Sequence, residues 1–139
     1  MAWELDKQDR SFQFGRLLAV MERAEADFLQ SAHEERQTNA IKFMSEFRQR
    51  PWHVFERINL QLHKAYLPRI ALWQKNRYER LVGEITSILK DIPEVQTEAD
   101  LNTPLKDIYL MGYELQRNDF FTKKEKTETE EHENGNSEQ

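Results

Sequence analysis

Apolar residues recur at intervals of three and four along most of the chain, and little interrupts them. Phe14, Leu17, Leu18, Met21, Ala24, Phe28 and Leu29 form the longest run, with the spacing of one helix face. Shorter runs follow: Ile41, Met44 and Phe47; then Phe55, Ile58, Leu62 and Ala65; then Ile70, Trp73, Leu81, Ile85, Ile88 and Leu89; then Ile108, Met111 and Leu115. No stretch alternates as a strand would. Only four Gly and four Pro stand among 139 residues, so helices have room to be long. The pattern predicts an all-α helical bundle of about five helices.

Punctuation residues give the expected boundaries. Ser11 is placed to cap the first helix, which the pattern carries to about Arg36. Thr38 caps a shorter helix that Arg48-Gln49-Arg50 closes. Pro51 suits the first turn of the next helix. Pro68 cannot continue an undisturbed hydrogen-bond ladder, so it kinks that helix or separates it from a helix running from Arg69 to about Lys90. Asp91-Ile92-Pro93 stops the latter. Asn102 or Thr103 caps a last helix, with Pro104 at its first position. Gly15 and Gly112 fall inside helices, where Gly costs propensity, and mark close helix contacts. The expected domain covers residues 1–121. Residues 122–139 hold six Glu, three Lys and no large apolar residue, the composition of a disordered acidic tail.

Charge is divided unevenly. The whole chain is at −5. Between Arg36 and Arg80, ten Lys or Arg face three acids, a net +7; between 81 and 121, three cations face eight acids, a net −5. Such polarity argues for oriented binding to an anionic partner. Seven rings are threaded through the basic segment: Phe43, Phe47, Trp52, Phe55, Tyr66, Trp73 and Tyr78. Cations with interleaved rings suit a nucleic-acid backbone and its bases. The candidate contact set is Arg48, Arg50, Arg57, Lys64, Arg69, Lys75, Arg77 and Arg80. Taken singly, each cation reads first as solvated surface and each ring as core.

Motifs for catalysis are lacking. Cys is absent, which excludes disulfides and Cys-based zinc sites. His33-Glu34-Glu35-Arg36-Gln37 opens like a zinc-protease motif but has no second His one turn on. His53 and His63 are ten residues apart, which does not put them on one face. No Gly-rich phosphate loop is present. The expectation is a non-catalytic protein without metal, cofactor or small-molecule substrate. No apolar run approaches the roughly 20 residues a membrane span needs, and the first residues do not read as a signal peptide. A cytoplasmic location is the default.

Three motifs carry a family resemblance. They are Gly15-Arg16-Leu17-Leu18-Ala19-Val20-Met21-Glu22, Pro51-Trp52-His53-Val54-Phe55, and Gly112-Tyr113-Glu114-Leu115-Gln116-Arg117-Asn118-Asp119-Phe120-Phe121. In this order they resemble the C-terminal region of the large subunit of the type I-C CRISPR surveillance complex (Cascade), over roughly Phe12 to Lys124. Glu114-Leu115 departs from the pattern, but Leu115 falls on the expected buried stripe. The large subunit has a much longer N-terminal portion, while Met1 here stands just upstream of the match. The C-terminal region is also made separately from an internal start in such systems. The resemblance therefore implies a stand-alone small subunit, packed with other Cascade subunits and further copies of itself. It implies contact with the crRNA–target DNA duplex and the displaced single strand, in support of the R-loop. Gly15, Arg16, Gly112 and Arg117 would then be structural or inter-subunit residues.

Two other readings stand beside it. One is a helical protein–protein adaptor whose basic face meets an acidic protein. The other is a DNA-binding regulator of the helix-turn-helix kind, disfavoured because no short Gly-containing turn joins two short helices.

Overall fold

The computed structural model describes residues 9–93 and 95–120. Those residues are helical, with no strand among them. The order is α1 (Arg10–Ser31), α2 (Asn39–Lys42), α3 (Met44–Gln49), α4 (Pro51–Gln61), a π-turn (Leu62–Tyr66), a 3₁₀ turn (Leu67–Arg69), α5 (Leu72–Asp91) and α6 (Glu98–Leu101). A seventh helix, α7, occupies 109–120. Setting aside the four-residue α2 and α6 leaves the five helices that the periodicity predicts. The acidic tail lies outside the described residues.

α1 is the centre of the bundle. It packs against α2, α4, the π- and 3₁₀ turns and α5. From Ser11 to Met21 only Arg16 is not fully buried. Burial on almost every side explains why its apolar run is the longest in the sequence. The seventh helix closes the remaining side at two glycines. A Cβ at Gly15 would lie 1.8 Å from the Tyr109 carbonyl oxygen, and one at Gly112 would lie 2.0 Å from that of Phe12. The two glycines thus meet across one crossing, backbone on backbone, as their mid-helix positions suggest.

Four boundaries differ from expectation, each for a local reason. Asp9, not Ser11, caps α1, its carboxylate accepting from the Phe12 N–H at 3.1 Å. Ser11 is buried, and its hydroxyl accepts instead from the Lys106 N–H at 2.9 Å. α1 ends at Ser31 rather than Arg36, because His33 takes a left-handed φ of 56° and turns the chain. α5 starts at Leu72, since Ile70 is extended (φ −107°, ψ 169°). The last helix starts at 109, and Asn102 caps a different one: its Oδ1 accepts from the His53 N–H at 2.9 Å, in the first turn of α4. Arg50 has no side-chain acceptor to offer that turn, so the cap comes from a distant loop. Thr38 caps α2 as expected, accepting from the Ile41 N–H, but the single helix expected from there to Arg50 is broken at Phe43 (φ −101°, ψ 16°) into α2 and α3.

Pro68 separates rather than kinks. α4 widens into the π-turn before it, tightens into a 3₁₀ turn across it, and then stops. A proline has no N–H for the ladder and crowds the preceding turn, and the widened turn makes room for it.

One apolar stripe, and one position of another, face the wrong way in the sequence reading. On the seventh helix Met111 and Leu115 are exposed, as is Leu110. The buried face is Tyr109, Gly112, Tyr113, Gln116 and Phe120, because Gly112 must face α1. On α5 Trp73 is 60% exposed and Leu72 is 70% exposed. Ile85 and Leu89 of its expected stripe are buried, together with Tyr78.

Candidate nucleic-acid interface

The eight candidate cations are spread over five consecutive elements, and the fold treats them differently. Arg48, at the end of α3, pairs with Asp107 and lies over the Tyr109 ring at 5.9 Å. It is engaged with the segment that leads into the seventh helix. Arg50, at the α3–α4 junction, is exposed. Arg57 is exposed on α4, with Glu46 at 3.6 Å and the Phe43 ring at 5.3 Å. Lys64 is exposed on the π-turn, Arg69 on the 3₁₀ turn and Arg80 on α5, whereas Lys75 is half-buried.

Arg77 is the exception among them. Its guanidinium sits 5.3, 5.0 and 5.2 Å from the ring centroids of Trp73, Tyr78 and Phe120. It lies 3.9 Å from Asp27 and donates to the Tyr78 hydroxyl at 3.1 Å. Burial lowers its pKa, against the raising influence of Asp27. Asp27 also accepts from the Tyr78 hydroxyl and from Gln74 Nε2. Arg77 is therefore one member of a polar knot that fastens α5 to α1, and it is less available to a ligand than its neighbours.

Of the remaining cations, Arg57 and Lys64 lie on one outer face and Arg80 on a second that adjoins it. On α4 and its continuation, Arg57, Leu60 and Lys64 follow one exposed stripe, three and four residues apart. On α5, Trp73, Asn76 and Arg80 do the same. His63 Nε2 and Glu79 Oε1, 3.6 Å apart, join the π-turn to α5. Lys64 and Arg80 are the chain neighbours of those two residues, so they flank the same seam. Arg50, Lys64, Arg69 and Arg80 form no ion pair with the described residues. At the seam, Asn59, Leu62, His63, Tyr78 and Glu79 line a cavity of about 10 Å³, no larger than one water, so the face suits a backbone laid across it rather than a small molecule. Its field is that of the +7 segment, since most acids of the chain lie after residue 81.

Other arginines hold the bundle together. Arg16 Nε donates to Gln116 Oε1 at 3.0 Å and Nη1 to Gln13 Oε1 at 2.9 Å, while Nη2 lies 3.7 Å from Glu84. It thus links α1 to α5 and to the seventh helix, and burial lowers its pKa. Arg36 Nη1 donates to the fully buried Glu25 at 2.9 Å, and Nη2 to the Tyr66 hydroxyl at 2.6 Å. Burial pulls the Arg36 pKa down, but the bonds to Glu25 and Tyr66 outweigh it and the pKa is raised. Arg117 lies over the Tyr113 ring at 6.0 Å. Among the described residues no group of three or more His, Asp or Glu is placed to hold a metal. No described helix is long and apolar enough to cross a membrane.

Sequence reasoning placed Trp73 in the core. The signal against this was its phase. Residues 73, 76, 77 and 80 share one side of an α-helix, and three of those four are polar. Tyr78, Ile85 and Leu89 lie on another side.

The family described as CRISPR-associated protein (Cas_Csd1) matches residues 1–121. The chain belongs to that family. No curated protein and no solved structure matches it. The match covers every described residue, including the Gly15–Gly112 crossing and the whole basic segment, so both are features of a Cas_Csd1 chain. Membership makes this chain a CRISPR-associated protein, of the kind that works within a Cas complex.

Proposed function

We propose that this Cas_Csd1 chain is a non-catalytic small subunit of a type I-C Cascade complex. It binds DNA backbone through the outer faces of α4 and α5 and so stabilises the R-loop. In this reading it acts in the cytoplasm, beside other Cascade subunits and further copies of itself. The observation that supports it is the set of exposed cations flanking the His63–Glu79 seam, unneutralised within a protein whose total charge is negative. In RNA-guided recognition the guide reads sequence, so a supporting subunit needs only phosphate contacts. An exposed row of Lys and Arg provides those. R-loop exchange is nearly balanced, so modest protein contacts tip it.

The test replaces Arg57, Lys64, Arg69 and Arg80 with Ala together. Arg77 is left in place because it fastens α5 to α1. Each lost phosphate contact should reduce the slope of log K against log salt by roughly 0.7 to 0.9, equally for unrelated sequences. Circular dichroism should be unchanged, since no buried side chain is touched. In the assembled complex, strand displacement should become slow or short-lived. Unchanged affinity and slope with normal R-loops would overturn the reading. Loss of a protein partner with DNA binding intact would favour the adaptor instead.

A further inference from the structure

Of the seven rings threaded through the basic segment, six are taken up by packing. Phe47, Phe55, Tyr66 and Tyr78 are buried, and Phe43 and Trp52 are half-buried against the core. Trp73 alone is exposed, at 60%. It stands in the first turn of α5, beside the 70%-exposed Leu72. Arg69 precedes it on the 3₁₀ turn, and Arg80 lies on its own face of α5, about 10 Å further along the axis. Its indole is also held: the Arg77 guanidinium lies over it at 5.3 Å, and Arg77 is itself anchored on Tyr78 and Asp27. The indole is thus pre-positioned and open, with Arg69 before it and Arg80 after it in the chain, neither in an ion pair with the described residues.

We propose that Trp73 is a stacking platform for an unpaired base of a single DNA strand whose phosphates run along Arg69 and Arg80. This rests on the DNA-binding reading above and narrows it to a single strand, since bases inside a duplex are not free to stack on a side chain. Charge selects the occupant. An apolar protein partner would not call for unpaired cations before and after the ring in the chain, whereas a nucleotide offers a π-face and a phosphate together.

The experiment measures binding of the full chain to three probes of equal length: oligothymidylate, an abasic deoxyribose-phosphate strand, and duplex DNA. Trp73→Ala should weaken oligothymidylate binding about tenfold or more. It should leave abasic and duplex binding, and the salt slope, as in wild type. Trp73→Phe should recover most of the loss. Equal weakening on oligothymidylate and the abasic strand would overturn the proposal, since the ring would then act only by holding Arg77. Unchanged oligothymidylate affinity would overturn it too, while the four-cation variant still reports on backbone binding separately. If the wild type binds none of the three probes, both readings fall.

Discussion

Gly112 and Gly83 are both helical, yet the fold asks opposite things of them. A methyl group at Gly112 would meet the Phe12 carbonyl oxygen at 2.0 Å, a backbone atom that moves only if the whole helix moves. At Gly83 it would meet nothing within 4 Å. Gly83→Ala should therefore stabilise by about 0.5 to 1 kcal/mol through helix propensity alone. Gly112→Ala gains the same propensity but forces α1 and the seventh helix apart, and should destabilise by about 3 kcal/mol or more. Urea denaturation of the two variants beside wild type checks this, and a similar midpoint for both would contradict the crossing. Glu25 shows the same dependence on place. It is fully buried, and it tolerates burial because Arg36 and the Asn39 N–H, at 2.8 Å, saturate its oxygens. The pair holds the turn after α1 rather than facing any ligand.

The short helix α6 shows how a loop element fixes a functional one. Thr97 caps it, accepting from the Asp100 N–H at 3.1 Å, while Asp100 accepts in return from the Gln96 and Thr97 N–H groups at 3.0 Å. Asn102 leaves this turn to cap α4, which carries Arg57. The hydrogen bond from Gln96, then those from Thr97, lower the Asp100 pKa. A carboxylate with a depressed folded-state pKa contributes stability above its unfolded value, near 3.9, and loses it as pH falls through the folded value. Asp100→Ala should thus melt below wild type at about pH 7, and the gap should close as the pH falls below about 4. A gap that persists undiminished in acid would show that the carboxylate charge is irrelevant. Elements of this kind account for what the sequence hid. The long helices were legible because each carries a whole apolar stripe, and Thr38, Pro51 and Gly112 marked their places by local chemistry. Asn102 was misassigned because its partner is 49 residues away, beyond any local rule. Trp73 was misassigned because hydrophobicity was weighed ahead of phase. The candidate cations were legible as a cluster, but Arg77 differs from Arg80 only through Asp27, Tyr78 and Phe120, which no spacing brings together.

At the scale of the whole molecule, the helix at the centre is the first among the described residues and the helix that seals it is the last of them. During synthesis α1 emerges roughly a hundred residues ahead of the segment that Gly15 waits for. Until then its flank along Phe12, Gly15 and Arg16 stays uncovered, and the Gln116 amide that Arg16 donates to has not yet been made. The bundle should therefore complete its fold only once the seventh helix is available to α1. A chain stopped at residue 108 should be digested by protease far faster than the full chain, and a peptide spanning 105–121, added separately, should restore resistance. Equal resistance of the two chains, with no effect of the peptide, would show that α1 needs no seal. The glycine crossing thus makes this bundle a lock whose key is cut last: separable in principle into two inert pieces, and competent only when they meet.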